Sequence, residues 1–264
     1  MKILFIKIAI FFIHFFTIKN FALATFSIIA IDPKTNETGS ALATCFETQY
    51  KIYSEKNNIL LADYVVFENN GYGIMNVQSD INDYSPIWLA TASAILAQDE
   101  DYYTAELINK FLTHPYQDKK YKERQILTLK KDKNFFTTAH IYHGLNVTPA
   151  KSGRIRHNIE NKYSIAIAGN LMTNELGLEL MEQAFILEKG NLADKLIAAL
   201  SALGATNKFG DKRCRAKENI SSNYAFIRTF VAGKKNIDLY VISEKNVDAT
   251  KILKEKYSVY KSRY

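Results

Sequence analysis

Apolar and polar positions divide the chain into blocks of two different periods. Residues 25–31 form an unbroken apolar, β-branched run, residues 32–39 collect turn formers, and residues 40–46 are apolar again. The two runs read as a β-hairpin with a longer loop, and Asp32 reads as a turn residue rather than an acid catalyst. Residues 59–67 and 72–77 read as two further strands, with residues 68–71 turning between them. Pro86 then opens an apolar segment of helical length that runs to Ala97, and residues 102–112 continue as a helix with Leu107, Ile108 and Phe111 at helical spacing. The polar, basic residues 114–124 read as a solvated loop.

Strands are expected at residues 125–129, 135–142 and 163–168, the last ending abruptly at Gly169 and Asn170; residues 144–162 read as a polar passage between elements. A helix is expected over residues 174–187, with Leu178, Met181 and Phe185 on one face. A second follows, capped by Asn191 with Asp194 in its first turn, striped by Leu192, Leu196, Leu200 and Leu203, and ended by Gly204. Residues 222–231 and 237–242 read as late strands and residues 247–257 as a closing helix. Helices gathered between blocks of strands predict an α+β fold of layered sheet and helix rather than alternating βαβ units. Neither an internal repeat nor a glycine-rich phosphate loop is present; Gly71-Tyr72-Gly73 is too short for a dinucleotide fingerprint.

The first 24 residues differ from the rest. Lys2 and Lys7 precede an apolar stretch, residues 8–16, broken only by His14, and a short polar stretch leads to Ala22-Leu23-Ala24. This is the order of a secretory signal peptide, residues 1–24, followed by a single domain over residues 25–264. The apolar run is far shorter than the ~20 residues of a spanning helix, so no membrane span is expected after cleavage. Export to a periplasmic or extracellular location follows. Removing the leader takes away three lysines and no acid, lowering the formal charge from +7 to +4. Dispersed basic residues without helix-turn-helix or zinc-finger spacing argue against a nucleic-acid partner. A small molecule or peptide is the expected partner, and a homo-oligomer is compatible with the sequence.

Two cysteines, Cys45 and Cys214, suit either one disulfide between an early strand and a late loop or two separate buried thiols. The histidines after the leader lack a paired Cys or carboxylate at ligand spacing, so neither a metal nor another cofactor is expected. His140 and His143, three apart on a strand, should point to opposite faces, each as a surface or satisfied side chain.

The cleavage site supplies the candidate chemistry. A cut after Ala24 makes Thr25 the first residue, and an N-terminal threonine carries nucleophile and general base in one residue. Its α-amine, with an ordinary pKa near ~7.7–8.0, works near neutral pH without a histidine.

Several stretches jointly resemble the domain of unknown function 1028 (DUF1028) family. They are residues 25–33 with Thr35 and Gly39, Val77-Gln78 with Asn82, Ala168-Gly169-Asn170-Leu171-Met172, Leu192-Ala193-Asp194-Lys195-Leu196, and Gly210-Asp211-Lys212-Arg213-Cys214 running to Ser221-Ser222. The resemblance implies an Ntn-hydrolase-like αββα sandwich, in which two antiparallel sheets pack between helical layers. The secreted branch of the family is similar at Cys45 and Cys214, which implies their disulfide. The expected activity is hydrolysis of an amide bond by Thr25, with Asn170 offering a side-chain N–H to the oxyanion, or else serving as a turn residue. Ser27 shares the strand face of Thr25 and would line the pocket. Gln78 would orient substrate or satisfy strand backbone; Asp211 and Arg213 would hold substrate or form a structural ion pair. The competing reading is an exported binding or scaffold protein that keeps the fold without catalysis.

Overall fold

The computed structural model describes residues 25–45, 61–79, 86–98, 102–147 and 150–263. The leader lies outside these residues, as do Phe46, Ile59, Leu60 and Asn82 of the sequence expectations.

Among the described residues, ten strands form two antiparallel sheets. The larger is built from β1 (Thr25–Asp32), β2 (Glu37–Thr44), β7 (Ser152–Ile159), β8 (Tyr163–Asn170), β9 (Tyr224–Val231) and β10 (Lys234–Ile242), in the order β10-β9-β2-β1-β8-β7. The smaller holds β3 (Val66–Asn69), β4 (Gly73–Gln78), β5 (Gln125–Lys131) and β6 (Thr137–His143), in that order. The helices are α1 (Leu61–Val65), α2 (Pro86–Leu96), α3 (Ala105–Leu112), α4 (Leu176–Leu187), α5 (Leu192–Gly204), α6 (Lys212–Glu218) and α7 (Ala249–Lys261).

β1 reads as a continuous apolar run because it is buried on both faces, as a central strand must be. Phe26, Ile28 and Ala30 pack with Leu178, Phe185, Leu196, Leu200 and Leu253 of α4, α5 and α7. The alternate residues Ile29 and Ile31 turn the other way, joining Leu42, Ala166 and Ala168 against Ile74, Leu127 and Leu129 of the smaller sheet. That sheet's opposite face, Met75, Val77 and Ile126, packs with Trp88, Leu96, Ile108 and Leu112 of α2 and α3. The period of two therefore assigns Thr25 and Ser27 to the gap between the sheets. At the far end of β1 the turn is fixed by the Asp32 carboxylate, which accepts from the backbone N–H of Lys34 (3.0 Å) and the Thr35 hydroxyl (2.7 Å). α5 carries the anticipated cap: Asn191 accepts from Asp194 N–H, and Asp194 accepts from Asn191 N–H, each at 3.0 Å.

Four expectations are corrected. Residues 152–159 of the supposed polar passage form β7, an edge strand whose Arg154 and Arg156 reach the buried Glu182 of α4. An edge strand facing solvent and arginine shows no apolar alternation. The strand expected over residues 59–67 begins, where described, as helix α1: Leu61, Ala62 and Val65 are buried at helical spacing while Asp63 turns out to Arg228 (2.8 Å). Cys214 lies on helix α6 and not on a loop. The supposed solvated loop 114–124 holds a buried ion pair, Arg124 Nε to Asp118 Oδ2 at 2.7 Å.

Candidate active site between the two sheets

The gap between the sheets is lined by Ile29, Ile31, Leu42, Ile74, Leu127 and Leu129, is crossed by a buried hydrogen bond from Ser40 Oγ to Asn76 Oδ1 at 2.9 Å, and carries a concentration of polar side chains at its Thr25 end. In the larger sheet, Cα register aligns Tyr224 with Thr44, Thr44 with Thr25, and Thr25 with Asn170, so a polar row crosses β9, β2, β1 and β8. In the smaller sheet, Gln78 aligns with Gln125 and Gln125 with His143, a second row across β4, β5 and β6. The two rows meet through Gln125. Its Nε2 donates to the Gly169 carbonyl at 3.1 Å, and its Oε1 accepts from Asn170 Nδ2 at 2.9 Å and from Gln78 Nε2.

One obligate acceptor sets the direction of this network. The Gly169 carbonyl cannot donate, so the Gln125 amide nitrogen must face it. The Gln125 oxygen then faces Asn170 and Gln78, both of which must present nitrogen. Gln125 Nε2 also lies 2.7 Å from His143 Nδ1, which therefore accepts and leaves the proton of the neutral ring on Nε2. Burial, followed by the charges of Lys151 and His140, holds the His143 pKa below the ordinary histidine value, which favours the neutral ring. His140, on the opposite face, meets Asn109 Nδ2 of α3 at 2.9 Å.

Thr25 and Gln78 are almost wholly buried, and Ser27 and Asn170 are fully so. The Ser27 hydroxyl, Gln78 Oε1 and Asn170 Oδ1 have no hydrogen-bond partner among the described residues. Each buried polar atom left in that state costs about 1–3 kcal/mol.

A corner next to the row is closed by α6. Cys45, which follows Thr44, is disulfide-bonded to Cys214 with a Cα–Cα distance of 5.6 Å. Asp211, fully buried at the cap of α6, accepts from Cys45 N–H (2.7 Å), Arg213 N–H (2.9 Å) and the Arg213 guanidinium (2.8 and 3.2 Å). Burial pushes its carboxyl up against the opposing pull of Arg213 and the two N–H groups. Gly210 before it has φ +129°, and a Cβ there would lie 2.6 Å from Ser221 Cα, so only glycine fits this turn. Asp211 and Arg213 thus pair with each other at 2.8 Å, while Thr25 and Asn170 stand in register, Gln78 and Asn170 meet at Gln125, and Ser27 lies on the strand face of Thr25.

Gln125 and His143 were not anticipated as site residues. Their one sequence signal is polarity at the ends of otherwise apolar strands, which does not reveal which row they join.

The family model described as "Family of unknown function (DUF1028)" matches residues 25–241. The chain belongs to the DUF1028 family. The match begins at Thr25, the first residue of β1. A crystal structure of a Silicibacter pomeroyi protein of the DUF1028 family superposes with a TM-score of 0.63 at 19% identity, over 89% of this chain and 85% of that one. That likeness carries the fold. No curated protein matches the DUF1028 chain. Among the described residues of this family member no helix is long and apolar enough to cross a membrane, and no group of three or more metal-ligating side chains occurs.

Proposed function

We propose that the protein is an exported amidohydrolase of the N-terminal-nucleophile type, with an Ntn-like four-layer αββα sandwich, whose nucleophile Thr25 is exposed by removal of residues 1–24. The observation that carries this reading is the position of Thr25: first residue of the central strand, facing the inter-sheet gap, and in register with Asn170. The Cys45–Cys214 disulfide supports passage through an oxidising compartment, periplasmic or extracellular.

In the proposed reaction Thr25 Oγ attacks the amide carbonyl of a small molecule or peptide while the Thr25 α-amine takes its proton. Asn170 Nδ2, held by Gln125 through one N–H, turns the other to the developing oxyanion. The α-ammonium then protonates the leaving amine as the C–N bond breaks, leaving an acyl ester on Oγ. Water, deprotonated by the amine, attacks the ester and restores the enzyme with release of the acid. These steps use the chain's own groups and call on no cofactor.

The test is N-terminal sequencing of the exported protein, followed by an electrophilic amide or lactone probe and mass analysis. Thr25 at the N-terminus and a probe adduct on it are expected, with adduct and turnover lost in Thr25→Ala. A different first residue, a blocked amine or unchanged turnover in Thr25→Ala overturns the proposal.

A further inference from the structure

We infer that the hairpin end of the molecule, opposite Thr25, docks on an anionic phospholipid surface, with Phe135 and Phe136 entering the bilayer boundary and Lys34, Lys133 and Lys234 at headgroup level. This goes beyond the Thr25 chemistry and does not depend on it.

Four hairpin turns, all of described residues, meet at Asn36. Its carbonyl accepts from Ala232 N–H at 3.0 Å, its side-chain oxygen accepts from Lys131 Nζ, and a Cβ at Gly71 would lie 2.8 Å from the Asn36 carbonyl oxygen. The turns of β1–β2, β3–β4, β5–β6 and β9–β10 are thereby gathered. Lys131 Nζ also reaches the Pro33 carbonyl at 3.3 Å and lies 5.4 Å from the centre of the Phe135 ring, which ties the aromatic tip to the group.

The β5–β6 tip is fixed in place and apolar. Asp132 Oδ1 accepts from the N–H groups of Asn134 and Phe136, each at 2.8 Å, and Phe135 N–H returns to the Asp132 carbonyl at 3.2 Å. Phe135 has φ +63°, a left-handed conformation that glycine or asparagine holds at less cost than a bulky side chain. The position nevertheless carries a phenyl ring that is 55% exposed, and Phe136 beside it is 67% exposed. Two adjacent rings held out on a fixed turn fill no core and suit an apolar phase outside the protein.

The charge around them is one-sided. Asp32 is buried and Glu37, Glu68 and Asp132 are half-buried, whereas Lys34, Lys133, Lys234 and Lys235 are exposed. The carboxylates of Asp32, Glu68 and Asp132 are drawn onto backbone N–H groups of their own turns. Lys235 pairs with Asp238 at 2.8 Å. Glu160, in the β7–β8 turn, is balanced by Lys195 (3.2 Å) and Lys189 (3.8 Å). The acidic residues 99–101 lie outside the described residues, and the salt and lysine arms of the test read the net charge of this end directly. A free anion would use the lysines and leave the rings idle, and a nucleic-acid strand needs a groove that tracks its backbone, which a hairpin tip does not offer. A bilayer uses both, the rings at its boundary and the ammonium groups among its phosphates.

The experiment is co-sedimentation of the exported protein with phosphatidylcholine vesicles, with and without about one-third phosphatidylglycerol. Binding should be at least about ten-fold tighter to the anionic vesicles and should fall about ten-fold or more as salt rises from about 0.05 M to about 0.5 M. Phe135→Ser/Phe136→Ser and Lys34→Gln/Lys133→Gln/Lys234→Gln should each weaken it about ten-fold or more. Leu107→Ser/Phe111→Ser, on the exposed face of α3, should change it by less than about two-fold. Phe135→Gly relieves the left-handed turn, so it should keep the fold in urea titration and still weaken binding. Absent or equal binding to the two vesicles, undiminished binding in either tip variant, an equal loss in the α3 variant, or a single-stranded oligonucleotide bound as tightly as the anionic vesicles overturns the inference.

Discussion

Replacing Asp211 tests how the site's corner is held. Its carboxylate is fully buried and serves three purposes at once: it caps α6 through Arg213 N–H, pairs with the Arg213 guanidinium, and accepts from Cys45 N–H. Losing a cap costs about 1 kcal/mol, and removing one partner of a buried pair costs about 3–5 kcal/mol. The same two oxygens make all these contacts, so the costs overlap rather than add. Asp211→Ala should lose about 3 kcal/mol.

Asp211→Asn separates charge from hydrogen bonding. Burial pushes the folded carboxyl up from 3.8, which means that the ionised form is the more costly one to bury. Asparagine resembles the neutral acid and keeps one acceptor, so its cost should be about 1 kcal/mol. The sign of the pH effect follows. A carboxyl with a raised folded pKa binds its proton more tightly when folded, so its contribution falls as pH rises from the unfolded value through the folded one. The wild type should show that slope, and Asp211→Asn should lack it. Urea titrations of the oxidised protein across the acid range give both quantities. A loss below about 1 kcal/mol for Asp211→Ala would refute the clamp. A pH slope unchanged in Asp211→Asn would refute the assignment of the shift to burial of this group.

Two further outcomes concern the same end of the fold. The Cys45–Cys214 bond spans a sequence separation of 169, for which chain entropy allows stabilisation of at most about 5 kcal/mol. The double variant Cys45→Ala/Cys214→Ala should lose about 2–4 kcal/mol in urea titration, and a loss below about 1 kcal/mol would contradict it. His143 has a folded pKa below 6.5, so the unfolded chain binds its proton first and stability should fall as pH drops below about 6.5. His143→Gln, which retains an acceptor but not the titration, should flatten that fall between about pH 7 and pH 5. Part of the slope should persist through His140, whose pKa is lowered in the same way. An identical slope in variant and wild type would show that His143 does not titrate against Gln125.

What was legible in the sequence was what local chemistry decides. β1 announced itself because burial on both faces forces an unbroken apolar run, and α5 because Asn191 and Asp194 cap it within one turn. The period of two also placed Ser27 beside Thr25 without knowledge of the sheet. β7 escaped because an edge strand pairs on one side alone, with Arg154 and Arg156 serving Glu182 in place of an apolar face. α1 escaped because an apolar run of that length fits either period, and only Asp63, turned out to Arg228, breaks the tie. Gln125 and His143 escaped for a different reason. Their place opposite Asn170 depends on how two sheets are set face to face, a relation between distant segments that no spacing records.

A clamp around Thr25 is built on its two neighbouring strands, and this bears on the proposed chemistry. Strand ends open at little cost in free energy unless other contacts hold them. Here α6 holds both strands that flank β1. Cys45, directly after β2, is fixed by Asp211 and Cys214, while Lys212 N–H returns to the Leu171 carbonyl at 3.1 Å and Met172 bridges Asp211, directly after β8. β2 and β8 are thereby tied to each other across the end of β1, and the row of Thr44, Thr25 and Asn170 is fixed from its two sides. None of these ties involves the peptide bond before Thr25. Severing that bond would therefore free an amine without loosening the strands that position it, which is the mechanical requirement of a nucleophile created by cleavage.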